Sequence, residues 1–278
     1  MDLQQLANIA IEAALSAGKV IQKYMNEDVL VEQKKGGSNY ASQVVTKVDY
    51  ECEAIILSYL MPTCNTFNIG LLTEETDDNG SRFEKDCFWC VDPIDGTLAF
   101  INKTSGFSVS IALVSNEGTP LIGVVFDPVS ETLYHAIKGQ CVFKNKKPWA
   151  INNTNYYLTY LTDKTLSNTP ESEKIVKILN NHKTRLGLTN IKEIAGKGAV
   201  MCAISVLENG PACFIKLPKK DLGGGSIWDY AATACIYQEI GLPATTYSGE
   251  TLELNKQQDT FMNHQGVYFS NLNLEIQV

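Results

Sequence analysis

Residues 89–100 read Trp-Cys-Val-Asp-Pro-Ile-Asp-Gly-Thr-Leu-Ala-Phe, and within them the hexad Asp92-Pro93-Ile94-Asp95-Gly96-Thr97 closes an apolar run typical of a buried strand. Mg²⁺ prefers oxygen ligands and keeps several waters, so one or two carboxylates beside a substrate phosphate suffice for each ion. Pro93 fixes its own φ and holds the preceding residue extended, while Gly96 lets the backbone approach a ligand closely. The hexad therefore predicts a divalent-metal site beside a phosphate-binding turn.

The composition is that of an ordinary globular protein with an acidic balance. The 278 residues are 44% hydrophobic and 19% charged, with a formal net charge of −8 and a pI near 5.0. Binding of a nucleic-acid polymer needs a basic stripe, which this chain lacks, so phosphate recognition is expected to be local. No apolar run reaches the roughly 18 residues of a membrane span, and the N-terminus has no signal pattern. We therefore expect a cytoplasmic protein with no membrane partner.

The eight cysteines are interpreted as free thiols rather than as a disulfide framework. Most are scattered through apolar segments, as is typical of buried thiols: Cys52, Cys64, Cys141, Cys202, Cys213 and Cys235. The alternative is a redox or zinc element at Cys87-Phe88-Trp89-Cys90. No second pair stands at zinc spacing, and residues three apart on a strand point to opposite faces. The structural interpretation is therefore favoured.

Periodicity predicts a helix at the N-terminus, then a second helix, a meander of strands, and finally strands alternating with helices. The first helix, Leu3–Tyr24, has apolar residues at three- and four-residue spacing. The second covers residues 46–60 and stops before Pro62. Strands over 107–113, 121–126, 132–136 and 141–144 predict an antiparallel sheet. Beyond Pro148 we expect strands at 156–161, 212–217 and 266–270 and helices at 171–181, 198–207 and 228–240.

Three further segments place acidic residues at the edges of these elements: Thr46-Lys47-Val48-Asp49, Thr73-Glu74-Glu75 and Ile227-Trp228-Asp229-Tyr230-Ala231-Ala232. Two of the acids have an ordinary structural explanation, because Thr46 and Asp49 fit a capping box and Asp229 opens a helix, where the dipole favours an acid. Glu74 and Glu75 are adjacent in sequence and cannot face the same way on a strand, so only one of the two is expected to be a metal ligand. The spacing of Asp92 and Asp95 excludes the Asp-x-Asp pair of covalent aspartyl-phosphate phosphatases.

Together with the hexad, these segments resemble the metal motifs of the inositol monophosphatase superfamily. These Mg²⁺-dependent, often lithium-sensitive phosphomonoesterases include the 3'(2'),5'-bisphosphate nucleotidases and the inositol polyphosphate 1-phosphatases. The resemblance covers most of the chain in the family's order, and it implies the layered α/β/α/β/α sandwich of the inositol monophosphatase and fructose-1,6-bisphosphatase type. It further implies two packed halves, residues 1–148 and 149–278, in a monomer or homodimer.

The resemblance also implies roles for individual residues around two to three Mg²⁺ ions. The implied metal ligands are Asp49, Glu74, Asp92, the Ile94 carbonyl, Asp95 and Asp229, with Asp49 at a third, weaker ion. Thr97, hydrogen-bonded to Asp49, would deprotonate the attacking water with help from Glu74. The backbone N–H groups of Gly96 and Thr97 would hold the phosphate, and Asp229 would also contact the substrate. Inhibition by Li⁺ is expected from the family.

The small-molecule substrate is suggested by a basic stretch before Trp228 and Asp229. The segment 214–220 contains Lys216, Lys219 and Lys220 and resembles the same region of eukaryotic bisphosphate nucleotidases. Either a cationic contact to a second phosphate or a solvated loop would explain these lysines. Lys197 and Gly198 resemble a substrate-contacting segment of that family, and the loop 34–39 resembles its lid.

The resulting hypothesis is a 3'(2'),5'-bisphosphate nucleotidase that removes the 3'-phosphate of adenosine 3',5'-bisphosphate, with the 1-phosphate of an inositol polyphosphate as a second substrate. The first alternative is an inositol monophosphatase. The second is a catalytically silent metal-binding scaffold.

Overall fold

The computed structural model describes residues 1–25, 27, 31–33, 44–151, 155–162 and 170–272, so the loop 34–39 lies outside the described residues. The helices are α1 Leu3–Tyr24, α2 Lys47–Phe67, α3 Ser81–Glu84, α4 Thr97–Ile101, α5 Pro170–Arg185, α6 Ala199–Glu208 and α7 Ile227–Ile240. The strands are β1 Val31–Gln33, β2 Val44–Thr46, β3 Gly70–Thr73, β4 Cys87–Asp95, β5 Ser108–Ser115, β6 Pro120–Asp127, β7 Thr132–Ile137, β8 Val142–Lys144, β9 Lys147–Pro148, β10 Leu158–Thr162, β11 Ile191–Ala195, β12 Ala212–Lys216, β13 Ala244–Thr245 and β14 Val267–Ser270.

Strands β3 to β9 form a seven-stranded sheet in sequence order. All neighbouring pairs are antiparallel except β3 and β4, which run parallel. The predicted meander is confirmed. Every residue of β4 is buried, because alternate side chains point to opposite faces and helices cover both faces.

A second, five-stranded sheet has the order β11-β10-β12-β14-β13. Strand β10 runs parallel to both β11 and β12, whereas β14 runs antiparallel to β12 and β13. Strand β11 was not predicted from the sequence. It lies at the edge of the sheet and most of its residues are exposed, so it lacks the apolar run by which a buried strand is recognised.

Three hydrophobic cores lie between the layers of helices and sheets. The first packs α1 and α2 against one face of the seven-stranded sheet, with Trp89 and Val91 at its centre. The second packs α6 and α7 between the two sheets, with Phe88 of the first sheet and Phe214 of the second. The third packs α5 on the outer face of the second sheet. The predicted α/β/α/β/α layering is therefore confirmed, whereas the division into halves at residues 1–148 and 149–278 stays a prediction.

Helix α2 continues past Pro62, where the sequence predicted its end. Leu60 is fully buried, and on the other side of the proline Thr63 is buried and accepts a 2.8 Å hydrogen bond from Trp89 Nε1. Tertiary contacts on both sides of the proline thus offset the backbone hydrogen bond that it removes. The helix ends only at Asn68, which adopts the left-handed conformation.

Burial divides the cysteines into two groups. Six of the eight cysteines are buried and free, but Cys141 is exposed and Cys64 is half-buried, which corrects the prediction for these two residues. Across the described parts of the chain, no helix combines the length and the apolar composition that crossing a bilayer requires.

Candidate metal and phosphate site

The hexad lies where β4 ends and turns into α4. Strand β4 pairs with β5 through Asp92 and Ser110, and again through Asp95 and Ser108, with an irregularity between the two pairs. Asp92 Oδ1 accepts a 3.0 Å hydrogen bond from the Ile94 N–H, which tightens the turn at its first residue. The irregular register lets both carboxylates leave the strand on the same side of the sheet.

Glycine is required at position 96, directly after Asp95. Gly96 has φ of 87°, and a Cβ at this position would lie 2.9 Å from the Gly106 carbonyl oxygen. Any other residue would meet both the strain of the left-handed region and this contact. The backbone of the turn is therefore held close to the start of β5.

Three carboxylates from distant parts of the chain meet at this turn. Asp92, Asp95 and Asp229 each offer one oxygen, and these oxygens lie within 4.8 Å of one another. Asp92 is 1% exposed, and its buried Oδ2 accepts no hydrogen bond from the residues that the structure describes. Among those residues, this is the one group of three or more candidate ligand side chains at such spacing.

Electrostatics make this cluster unfavourable as a set of bare anions. Burial raises the pKa of Asp92 well above its usual range, and the charges of Glu74, Asp229 and Asp95 raise it further. Burial and then the charge of Glu74 raise the pKa of Asp229 to about 6. Because hard oxygen ligands with unbalanced negative charge are what Mg²⁺ binds, the donor set fits this ion.

Asp95 is oriented by the other half of the molecule. Its Oδ1 and Oδ2 accept hydrogen bonds of 3.0 Å from the N–H groups of Ala199 and Val200, in the first turn of α6. Burial and Asp229 raise the pKa of Asp95, while Lys216 and these two N–H groups act in the opposite direction. The start of α6 is thus built around this carboxylate.

Gly198 has a structural role that the sequence did not reveal. A Cβ on Gly198 would overlap Asp95 Oδ2, and the Gly198 N–H donates a 2.7 Å hydrogen bond to the Gly106 carbonyl. The absence of a side chain at Gly198 therefore allows Asp95 to reach α6. In the sequence, the small residues at the start of a helix are a signal of such a close approach.

Asp49 and Thr97 are adjacent, as predicted. Asp49 is buried at the start of α2 and completes a capping box, because its Oδ2 accepts hydrogen bonds from the Thr46 N–H (2.8 Å) and Thr46 Oγ1 (2.6 Å). Its Oδ1 accepts a 3.3 Å hydrogen bond from Thr97 Oγ1, which also lies 3.2 Å from the Ile94 carbonyl oxygen. Asp49 lies outside the group of three described carboxylates but is linked to the hexad through Thr97.

Glu74 follows β3 and lies next to the cluster. Its N–H donates a 3.1 Å hydrogen bond to the Val91 carbonyl, and its carboxylate is close enough to raise the pKa of Asp92. The next residues are held by Glu53, whose carboxylate accepts hydrogen bonds from the Glu75 N–H (3.1 Å) and from Thr76 Oγ1. Glu53 was missed by the sequence analysis. It lies one helical turn after Asp49, and that spacing was the available signal.

Of the candidate substrate-binding lysines, Lys216 is the one whose charge acts on the carboxylate cluster. Its ammonium donates a 3.0 Å hydrogen bond to the Gly224 carbonyl, and its charge counteracts the rise in the pKa of both Asp95 and Asp229. Lys219 and Lys220 are exposed. The Lys197 ammonium donates a 2.9 Å hydrogen bond to Ser205 Oγ on α6.

The cysteine pair on β4 does not form a reactive centre. Cys87 and Cys90 are both buried. Burial raises the pKa of Cys87 to about 11 and that of Cys90 further still, so neither thiol ionises readily. The structural interpretation of this pair agrees with its position in the sheet.

Known proteins resemble this chain over nearly its whole length. The family model described as the inositol monophosphatase family matches residues 2–276. Inositol monophosphatase 1 of Solanum lycopersicum is 26% identical over 265 residues, which cover 92% of this chain and 89% of that protein. The structure of inositol monophosphatase from Anabaena (Nostoc) sp. PCC 7120 is 24% identical, with a TM-score of 0.70 over 98% of this chain and 92% of that chain.

A staphylococcal inositol monophosphatase, SaIMPase-II, also shares the fold. Its structure with 2'AMP bound is 23% identical, with a TM-score of 0.70 over 96% of this chain and 90% of that chain. Another structure of SaIMPase-II holds inositol monophosphate.

Proposed function

Because this chain belongs to the inositol monophosphatase family, a family of phosphatases, we propose that it is a Mg²⁺-dependent phosphomonoesterase acting on adenosine 3',5'-bisphosphate. The reaction is hydrolysis of the 3'-phosphate, with the 1-phosphate of an inositol polyphosphate as a second substrate. The observation that carries the proposal is the convergence of Asp92, Asp95 and Asp229 beside a glycine turn. We place the activity in the cytoplasm, in a monomer or homodimer.

The acidic residues would hold the metal. Asp92, Asp95 and Asp229 would supply the central carboxylates, and Glu74, the Ile94 carbonyl and Asp49 would complete a site for two to three ions, with Asp49 at the third, weaker ion. When bound, Mg²⁺ supplies Lewis-acid activation of the ester and of water. Occupation of the same site by Li⁺ is expected to inhibit.

The chain's own groups orient the reactants and hold the proton. The Thr97 hydroxyl has Asp49 Oδ1 and the Ile94 carbonyl as acceptors, so its proton is directed away from the substrate and its oxygen lone pair is available to a water molecule. Glu74 assists in accepting that water's proton. The N–H groups of Gly96 and Thr97 hold the phosphate, since backbone N–H groups at such a turn suit an anion.

Substrate choice in this proposal depends on Lys216. A bisphosphate carries a second dianionic group, and Lys216 is the cation that acts on both Asp95 and Asp229. Lys219 and Lys197 would contact the substrate more peripherally, together with the backbone of Gly198, and Asp229 would accept a hydrogen bond from the sugar. The runner-up substrate, inositol 1-phosphate, is favoured by a different observation, the name of the tomato relative.

Parallel assays of phosphate release separate these possibilities. Purified protein is given adenosine 3',5'-bisphosphate, inositol 1,4-bisphosphate and inositol 1-phosphate with saturating Mg²⁺. The proposal expects the nucleotide to have the highest kcat/KM. Hydrolysis of inositol 1-phosphate alone would refute the substrate choice and leave the runner-up, and release from none of the three would support the silent scaffold.

Substitution of Lys216 then tests whether this lysine recognises the second phosphate. Lys216→Met should lower kcat/KM for the nucleotide by roughly tenfold to a hundredfold, the cost of one lost charge-assisted contact. The loss for inositol 1-phosphate should be much smaller. Lys220→Met is the matched control, because Lys220 is an exposed lysine of the same segment. Equal losses for both substrates would contradict a role for Lys216 in recognising a second phosphate.

A further inference from the structure

A buried lysine far along the chain is tied to the segment that precedes Asp229. The Lys256 side chain is only 5% exposed. Its ammonium donates a 2.7 Å hydrogen bond to the Phe261 carbonyl, forms a 2.8 Å ion pair with Asp259 Oδ1, and has a His264 ring nitrogen at 3.2 Å. Because a buried ammonium is costly unless each donor is paired, these contacts favour a single conformation of residues 259–264. We call this segment the buttress loop.

The buttress loop is hydrogen-bonded to the residues that open α7. The Ile227 N–H donates a 2.9 Å hydrogen bond to the Thr260 carbonyl, and the Met262 N–H donates a 3.0 Å hydrogen bond to the Gly225 carbonyl. These two bonds lie on either side of Ser226. The backbone of Ser226 is therefore fixed by the loop that Lys256 holds.

Ser226 in turn orients the Asp229 carboxylate. It faces Phe261 in an antiparallel bridge, and its N–H donates a short hydrogen bond to Asp229 Oδ2. The Lys256 ammonium thus acts on the same residue, Phe261, that lies opposite the donor to Asp229. The Lys256 ammonium is thus connected to the Asp229 carboxylate through hydrogen bonds and the β-bridge between Phe261 and Ser226.

We propose that Lys256 is a positioning residue for Asp229. It holds the buttress loop, the loop holds the backbone at Ser226, and Ser226 orients the Asp229 carboxylate toward Asp92 and Asp95. This inference rests on the proposed function for the role of Asp229 as a metal ligand. Groups that orient a ligand in this way commonly change metal affinity by ~10-fold to 100-fold when removed.

The test compares Lys256→Met with Lys144→Met. Lys144 pairs with Glu208 at 2.6 Å at the C-terminal end of α6, about one helix length (~14 Å) from the end that binds Asp95. Three quantities are measured: the rise in melting temperature on adding Mg²⁺, the Mg²⁺ concentration that gives half-maximal phosphate release, and hydrogen exchange at the Ile227 amide.

For Lys256→Met, the proposal expects the half-maximal Mg²⁺ concentration to rise by ~10-fold, the Mg²⁺-induced rise in melting temperature to shrink, and exchange at Ile227 to become faster. For Lys144→Met, all three should stay at wild-type values, even if the melting temperature without Mg²⁺ falls equally. Wild-type Mg²⁺ dependence in Lys256→Met, or the same change in both variants, would overturn the proposal.

A second variant keeps the test decisive if Lys256→Met does not fold. Asp259→Ala removes an ion-pair partner that is 37% exposed and also accepts a 2.8 Å hydrogen bond from the Phe261 N–H. It should shift the same three quantities in the same direction by a smaller amount, and unchanged values would overturn the proposal. If wild-type protein releases no phosphate from any substrate, the proposed function fails, whereas the melting and exchange measurements still decide the role of Lys256.

Discussion

Replacing Asp229 with Asn should stabilise the metal-free protein and strongly reduce the stabilisation that Mg²⁺ gives it. Burial and the charge of Glu74 raise the pKa of Asp229 from 3.8 to about 6, although the Ser226 N–H, Lys216 and Asp95 act in the opposite direction. The ionised carboxylate is therefore disfavoured in the folded chain when no cation is bound. An amide of nearly the same shape keeps an oxygen for the Ser226 N–H and carries no charge.

The sign of the pH dependence follows from the raised pKa. The folded protein binds this proton more tightly than the unfolded chain, so the associated stability is present below pH 3.8 and is lost as the pH rises through 6. The loss is ~3 kcal/mol at pH 7 and about half of that at pH 5. Because Asn does not titrate, D229N should exceed the wild type in free energy of unfolding by ~1–3 kcal/mol at pH 7, and by clearly less at pH 5.

Urea unfolding in EDTA at the two pH values measures this difference, with tryptophan fluorescence as the probe. Mg²⁺ at 1,000 times its Kd should reverse the order at pH 7, because an ion bound only to the folded state then adds about 4.1 kcal/mol to the wild type, more than the ~1–3 kcal/mol advantage of D229N. D229N should gain much less. The reasoning would be refuted if D229N were less stable than wild type in EDTA at pH 7, if the difference were the same at pH 5, or if Mg²⁺ stabilised both proteins equally.

Three other substitutions test the remaining geometry. Asp95→Asn should abolish turnover and lower the free energy of unfolding by ~1–3 kcal/mol, because the NH₂ group of the asparagine cannot accept the hydrogen bond that one α6 N–H donates to Asp95. Wild-type activity at saturating Mg²⁺ would contradict the assignment of Asp95 as a metal ligand. Gly198→Ala should lower kcat by ~100-fold or more through displacement of Asp95, whereas Gly139→Ala, where a Cβ meets nothing, should change only the melting temperature. Thr97→Val should lower kcat by ~10²–10⁴-fold with little change in KM; an equal rise in KM would point to binding instead.

Much of the fold could be predicted from local pattern alone. The amphipathic period of α1 gave its bounds, and the strand runs of the meander gave the antiparallel sheet, because burial of one face imposes a period that the sequence displays. Helix α2 and strand β11 are two of the exceptions. Helix α2 passes Pro62 because Leu60 and Thr63 are packed on either side of it, and β11 is an exposed edge strand with no apolar run.

At the candidate site, the sequence by itself determined which side chains have the chemistry: the hexad, the acidic segments and the glycines carry oxygen ligands and tight turns in their own local spacing. The tertiary structure alone decided how those residues are held. The two N–H groups of α6 that bind Asp95, the Glu53 carboxylate that accepts from the Glu75 N–H, and the Thr260 carbonyl that accepts from the Ile227 N–H all join residues more than twenty positions apart. The physical reason is that a hydrogen bond between distant segments depends on how the layers pack, and no local period encodes it.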